Sequence, residues 1–327
     1  MGFHFPALRT VGLATLGLVP LLCGAVSARD WPSKTIRAVV PLTAGSATDQ
    51  IGRAVLDPVA SALGQPIVIE NRPGAGNTLG MAQVARAEPD GYTLLVNSSS
   101  HAIVPATYAN LPFDTLRDLA AVIPLGNMPT VLVVSPSKGY KTLADLVAAG
   151  KAKPGAMNYS SAGAGNFSHF ATEVFLRAAG FQAVHVPNKG APEAITEVLA
   201  ERVDFFFSPL LLALSQIRAG KLQALAMSGS QRAAAMPDVP TTAEAGYPGS
   251  EYNFWVGLFA PAKTPASILQ RLHAESLKAT KTEAVQQRLA KLGVDPMFLS
   301  AAAFEKLVRD EVAINAKIAA AVGIKAN

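Results

Sequence analysis

The chain has 327 residues, half of them hydrophobic, with 28 Lys and Arg against 23 Asp and Glu. That length can build two cores without staples, and a formal charge of +5 scattered along the chain makes no basic patch of the kind nucleic acid requires. A single cysteine, Cys23, excludes a disulfide framework and a thiolate metal site, and the five histidines lack the H-E-x-x-H spacing of a metal helix.

The first residues have the pattern of an export signal. Met1–Thr10 carries one Arg and no acid, Val11–Cys23 is apolar and uncharged, and Val26-Ser27-Ala28 is a small-residue cleavage site. The apolar run is too short for a membrane span. Leu22 precedes Cys23, where a lipoprotein anchor wants a small residue. Residues 1–28 are therefore expected to be removed, taking Cys23 with them and lowering the charge from +5 to +4 through the loss of Arg9. No later apolar run is long enough for a membrane helix, so a soluble exported chain is expected.

Ile36 to Arg53, IRAVVPLTAGSATDQIGR, then reads as a strand, a loop of small residues and the start of a helix. Ile36 and Ala38–Val40 suit a buried parallel strand, and Pro41 ends the pairing. The loop Thr43-Ala44-Gly45-Ser46-Ala47 has little side chain to hide its backbone. Thr48 or Asp49 is expected to cap the helix. A helix N-terminus with exposed N–H groups suits an anion; a plain βα turn fits the same residues. Further strands are expected at Ile67–Glu70, Tyr92–Val96, Val122–Leu125, Thr130–Val134, Asn158–Ser160, Val184–Val186, Val203–Phe207 and Leu222–Met227. Helical segments alternate with them, which predicts an α/β chain with parallel sheets and crossovers.

Two further loops follow strands. Asn97-Ser98-Ser99-Ser100-His101 is a polar run at a strand's C-terminal end, where open α/β sheets bind ligands. It serves equally as a hydrated turn. Ser161-Ala162-Gly163-Ala164-Gly165-Asn166 is a second small-residue loop, leading into a helix from Phe167 to Ala179. It offers hydroxyl, amide and bare backbone donors together, or serves only as a tight packing turn. Its likeness to the loop at 43–48 predicts two α/β lobes facing a shared cleft. Pro237–Gly249 reads as a crossing between lobes. The helices at Pro265–Thr280, Glu283–Leu292 and Ala302–Val322 are expected to return and cover the first lobe.

The motifs, taken in order, resemble the extracytoplasmic solute-binding receptors of the tripartite tricarboxylate transporters, the Bug-type proteins. The resemblance covers essentially the whole chain after the signal. It rests on Pro41–Arg53, Glu70-Asn71-Arg72-Pro73-Gly74-Ala75-Gly76-Asn77, Pro89-Asp90-Gly91-Tyr92-Thr93, Ser161–Gly165 with His169 and Glu173, and His185-Val186-Pro187 with Lys189-Gly190. Pro237-Asp238-Val239-Pro240-Thr241 with Glu244-Ala245-Gly246, and Ala260-Pro261 with Thr264-Pro265, complete it. It implies a type II periplasmic binding-protein fold with a ligand cleft between lobes at 29–128 plus 251–327 and at 129–250. It also implies a periplasmic monomer that closes on a small organic carboxylate (di-, tri- or aromatic) and delivers it to membrane transporter subunits, with no bound cofactor. The ligand contacts so implied are Thr43, Ala44, Gly45, Ser46, Ala47, Thr48 and Asp49 in the first loop and Ser161, Ala162, Gly163, Gly165 and Asn166 in the second; Ser98, Ser99 and His101 join them from their place at a strand's C-terminal end. Asn188 and Ser208 are expected as pocket walls. The family usually has a Gly pair where Gly45-Ser46 stands, an aromatic ring at Asn188 and an Asp near Ser208, so an amine-bearing ligand lacks its carboxylate partner.

Asp49 would repel a carboxylate if it faced the cleft, so it is expected to cap or orient its helix. Three rivals remain open. One is a receptor for another anion or an acidic amino acid; one is a ligand sensor. The third is a secreted hydrolase using Ser161 or Ser99, though Ser161 with His169 lacks a G-x-S-x-G elbow and an orienting third residue.

Overall fold

The structure, a computed structural model, describes residues 1–4 and 31–324. Beyond residue 4, the export signal expected at 1–28 lies outside the described residues.

The chain opens with β1 (Ile36–Val40), α1 (Ala47–Leu63), β2 (Ile67–Asn71), α2 (Thr78–Ala85), β3 (Thr93–Ser98), α3 (Ser100–Thr107) and β4 (Leu119–Met128). It continues through β5 (Thr130–Val134), α4 (Leu143–Ala152), β6 (Met157–Ser161), α5 (Phe167–Ala179), β7 (Ala183–Pro187), α6 (Ala191–Leu199), β8 (Phe205–Pro209), α7 (Leu210–Arg218) and β9 (Gln223–Met227). It ends with β10 (Phe254–Pro261), α8 (Ala266–Thr280), α9 (Glu283–Lys291) and α10 (Ala301–Val322). The strands form two five-stranded sheets, β2-β1-β3-β10-β4 and β7-β6-β8-β5-β9.

The two sheets repeat one plan and centre two lobes. β1 pairs in parallel with β2 and β3, and β6 in parallel with β7 and β8. The purely parallel sheets expected from the alternation of strands and helices are corrected in one strand of each. β10 runs antiparallel between β3 and β4, and β5 antiparallel between β8 and β9. These are the strands by which the chain enters a sheet from the other lobe. β4 ends at Met128 and β5 begins at Thr130, so Pro129 alone joins them, and the incoming strand must run back against its neighbours.

Local sequence explains most elements. Ile51, Val55, Val59 and Leu63 recur at helical spacing on α1 and are buried. Burying each such side chain is worth roughly 1.5–3 kcal/mol. Gly64, at φ 70°, closes that helix with its N–H on Ala60 and Ser61 carbonyls. Phe170, Val174 and Phe175 are buried on α5. α8 and α9 pack on α1, while α10 packs on α3 and β4.

Three local expectations shift. Ser46, not Thr48 or Asp49, caps α1: its backbone is extended and its Oγ accepts from Asp49 N at 3.4 Å. The polar run at Asn97–His101 is not a loop. Asn97 and Ser98 end β3, and Ser100 and His101 begin α3, because the Asn97 and Ser98 side chains accept from the N–H groups of Ser98 and Ser100 and start the helix. Pro237–Gly249 lies against the second sheet: Met227 N donates to Pro240 O, Thr242 N donates to Met227 O, and the Tyr247 ring meets Phe175 at 5.8 Å.

Candidate functional site

Four helices begin at one place. The N-terminal ends of α1 and α3, from the first sheet, and of α5 and α6, from the second, line a single cavity of about 30 Å³. Ala47 and Thr48 with their cap Ser46 come from the start of α1, Ser100 from α3, Phe167 and Ser168 with their cap Asn166 from the start of α5, and Ala191 from α6; Pro209 ends β8 just before α7 and has no N–H to offer, while Leu210 N donates to Pro129 O. Leu42, Ser98, Ala162, Phe206 and Phe254 complete the wall. The first turn of a helix leaves N–H groups without intrahelical acceptors, and its dipole favours negative charge. None of the residues lining the cavity carries a charge. The site can therefore hold an anion by oriented amides and hydroxyls alone.

The first loop is held from behind. Gly45, at φ 79°, turns its N–H onto Asp49 Oδ2 at 2.9 Å. Asp49 Oδ1 takes the Arg53 guanidinium at 2.9 Å and the Asn71 amide at 3.1 Å. Burial pushes the Asp49 carboxyl up, but Arg53, the Gly45 N–H and Asn71 outweigh it and hold it below its usual range. Its charge is thus spent on ordering the loop. The N–H groups of Ala47 and Thr48 have no acceptor among the described residues. Thr48 Oγ1 is buried without a partner.

The second loop is braced by aromatic groups. Gly165 N donates to His169 Nδ1 at 2.9 Å, and Asn166 caps α5 by accepting from His169 N at 3.2 Å. Ala162 N donates to Ser168 Oγ at 2.9 Å. The His169 ring stacks on His185 at 3.9 Å, and Tyr159 stacks on His185 at 4.9 Å. Tyr159 donates to Glu173. Burial pushes His169 down to about 3, helped by His185, and His185 down to about 4. Both rings are neutral at ordinary pH. Ser161 Oγ meets His185 Nε2 at 2.6 Å and the Gly163 carbonyl at 3.1 Å. It is fully buried and does not line the cavity. The serine–histidine pair therefore involves His185 rather than His169, and it faces the interior.

The two lobes meet in a seam around the cavity. Tyr108 Oη donates to Ala164 O at 2.8 Å, Thr107 Oγ1 to Gly165 O at 3.3 Å and Phe167 N to Ser100 Oγ at 2.9 Å. Thr43 Oγ1 donates to Glu193 Oε2 at 3.2 Å. The approach depends on glycine twice. A Cβ at Gly190 would strike Thr43 Oγ1, and one at Gly76, at φ 55°, would strike Ala164 O. A cavity of this size has room for one or two waters, so the lobes are closed.

Of the sequence-predicted residues, Ser46, Ala47, Thr48, Ser98, Ala162 and Asn166 come together at the cavity. Gly163 and Asn188 line a neighbouring chamber of about 250 Å³ between the lobes, with Gly74–Asn77, Tyr108 and Lys189. Thr43 is in the seam, Ala44 and Gly45 are exposed, and Asp49 stands behind the loop. Gly165 faces Thr107 and His169. Ser208 is buried and donates to Pro209 O, and Ser99 is buried with its hydroxyl unpartnered among the described residues. His101 lies elsewhere: its ring stacks on Phe259 at 3.9 Å and borders a separate groove beside β4, α8 and α10. Burial pushes that imidazole down to about 3. Of the other lining residues, Ser100 belongs to the polar run at 97–101 read as a ligand-binding strand end, and Leu42, Phe167, Ser168, Ala191, Phe206, Pro209 and Phe254 were not among the expected contacts. Ser168 sits beside His169, which the sequence singled out, whereas an apolar residue such as Phe206 carries no signal that separates a pocket wall from core.

Residues 51–324 match the tripartite tricarboxylate transporter family receptor. The protein BugT of Bordetella pertussis is 33% identical over 305 residues, covering 92% of this chain and 94% of that protein. The solved periplasmic binding protein BugD superposes with a TM-score of 0.86 at 28% identity, covering 90% of this chain and 99% of that one. An R. palustris protein solved with adipate gives the same TM-score, identity and coverage. MatC from Rhodopseudomonas palustris with bound malate gives a TM-score of 0.85 at 32% identity, covering 88% and 99%. The chain belongs to the tripartite tricarboxylate transporter family of receptors, the Bug-type periplasmic solute-binding proteins.

Proposed function

We propose that this receptor captures a small organic carboxylate in the periplasm by closing its lobes, 29–128 with 251–327 on one side and 129–250 on the other. It then delivers the ligand to a membrane transporter of the tripartite tricarboxylate type. The observation that carries this is the convergence of four helix N-termini, two from one sheet and two from the other, on an uncharged cavity. A partly buried helix terminus contributes up to about 2 kcal/mol toward a charge, while micromolar affinity needs about 8 kcal/mol. The two termini of the first lobe fall short by themselves. Both lobes must engage the ligand, so binding favours the closed state. The malate and adipate in the two solved relatives support a carboxylate as the anion.

A thermal-shift panel of mono-, di- and tricarboxylates, sugars and cations tests this. A carboxylate at about 100 times its Kd is expected to stabilise the protein by about 2.7 kcal/mol. A shift from a sugar or a cation, with none from any carboxylate, contradicts it. Loss of carboxylate uptake on deleting the receptor, restored by the intact chain, tests the transport step against a purely sensory role.

A further inference from the structure

We infer, resting on the proposed function, that Glu193 is a positioning residue: its carboxylate accepts from the Thr43 hydroxyl when the lobes close and so latches α6 to the first lobe, and Thr43 serves that latch rather than the ligand. Thr43 stands in the loop before α1, yet it does not line the cavity. Its Oγ1 instead donates to Glu193 Oε2 at 3.2 Å, from one lobe to the other. Glu193 is the third residue of α6, after Ala191 and Pro192. A glutamate at that position commonly reaches back to the backbone N–H of the residue that precedes the helix, here Gly190. Among the described residues its carboxylate reaches out to Thr43 instead. Gly190 makes the meeting possible, since a Cβ there would strike Thr43 Oγ1 and stand 2.9 Å from Glu193 Oε2, inside the space the pair shares.

The two sides of the second lobe are held differently. On one side, Phe167, Phe170, Ala171 and Val174 of α5 are buried in the first lobe's core, and Tyr252 packs on Phe167 and Phe170 at 5.4 Å. The seam bonds of Tyr108, Thr107 and Ser100 all go to α5 or to the loop before it. On the other side, the Thr43–Glu193 pair is the one side-chain hydrogen bond between α6 and the first lobe among the described residues. A bond to a carboxylate is stronger than one between neutral groups, and this one exists only while the lobes are together. Closure over the start of α6, where Ala191 lines the cavity, therefore depends on it.

A double-mutant cycle tests the latch, read by calorimetric titration of the full receptor with malate, adipate, citrate and benzoate and by urea denaturation of the ligand-free protein. Thr43→Val keeps the shape of the side chain and removes its hydroxyl; Glu193→Ala removes the acceptor. Each is expected to weaken the tightest of these acids about tenfold. The double variant is expected to lose about the same tenfold, because either change already breaks the pair. Thr43→Ser keeps the hydroxyl and is expected to bind within about threefold of the parent. The urea midpoint is expected to stay the same throughout. A loss of about a hundredfold in the double variant, the product of two independent contacts, would make Thr43 a ligand contact and overturn the latch while the carboxylate-receptor function stands. Unchanged affinity in Glu193→Ala, or urea midpoints that fall along with affinity, would overturn it as well. If none of the acids binds, the proposed function falls and the latch with it.

Discussion

Gly190 and Asp49 do the most at this site without belonging to the cavity wall. Gly190 is extended, at φ −169°, a backbone that any residue adopts. The open molecule therefore tolerates a side chain there. In the closed molecule a Cβ would run into Thr43 Oγ1. Gly190→Ala is thus expected to cost less than about 0.5 kcal/mol of stability, as an ordinary surface change does. It is expected to weaken carboxylate binding about tenfold, or about 1.4 kcal/mol. Titration calorimetry beside urea denaturation separates the two effects; equal losses in both would show that the residue acts on folding.

Asp49→Ala should behave in the opposite way. It strips the acceptor from Gly45 N, Arg53 and Asn71, and leaving such groups unpaired costs about 1–3 kcal/mol. Both stability and affinity are expected to fall, although the carboxylate itself does not face the ligand. Asp49 carried a readable sign of this: an acid in an anion loop must turn away. His101 carried none. Its neighbours in sequence are polar, and only the β3–β10 pairing that brings Phe259 over its ring turns it from the cleft.

Among the elements, the helix ends were the most legible part. Small-residue loops after strands marked the starts of α1 and α5, and turn residues marked most boundaries within one or two positions. The sheets were less so. Continuously apolar strands say that both faces are covered, but not which way a strand runs when the chain arrives from another lobe. β5 and β10 took their direction from that long-range path.

Buried groups on four elements also set the pH dependence. His169 on α5 and His185 on β7 are held neutral, with values of about 3 and 4 against an ordinary 6.5, by burial first. Unfolding frees them to take up protons below pH 6.5, so stability is full above that value and falls as pH drops toward 4. The slope per imidazole is at most about 1.4 kcal/mol per pH unit. His101 on α3 adds in the same direction. Glu311 on α10 opposes them. Burial pushes its carboxyl up to about 7 from 4.5, offset in part by the Trp255 indole N–H that donates to it at 2.9 Å. Its protonated form contributes stability that is present below pH 4.5 and lost as pH rises to 7. The three histidines outweigh it, so the melting temperature is expected to fall from pH 6.5 to 4.5. Glu311→Gln keeps an acceptor for Trp255 and is expected to raise the melting temperature at pH 8 and leave it unchanged at pH 4. A melting temperature that instead rises steadily from pH 7 to pH 4 contradicts this balance.

At the scale of the whole molecule, the chain builds one plan twice and turns the helix ends of both copies on each other. The order of motifs showed the family, and the pattern of strands and helices showed the α/β class. Neither showed that α6 also aims at the cavity, because its first residues, Ala191 and Pro192, carry no polar side chain that marks a site until the lobes are brought together. The central claim is that an anion is held by helix N-termini from both lobes at once. A high-resolution crystal structure of the receptor co-crystallised with the carboxylate that gives the largest thermal shift tests it most directly. The account predicts the carboxylate within about 3 Å of Thr48 Oγ1 and of backbone N–H groups at the starts of α1 and α5. A carboxylate held by one lobe only, or bound outside at Lys189 with the helix ends untouched, would contradict it.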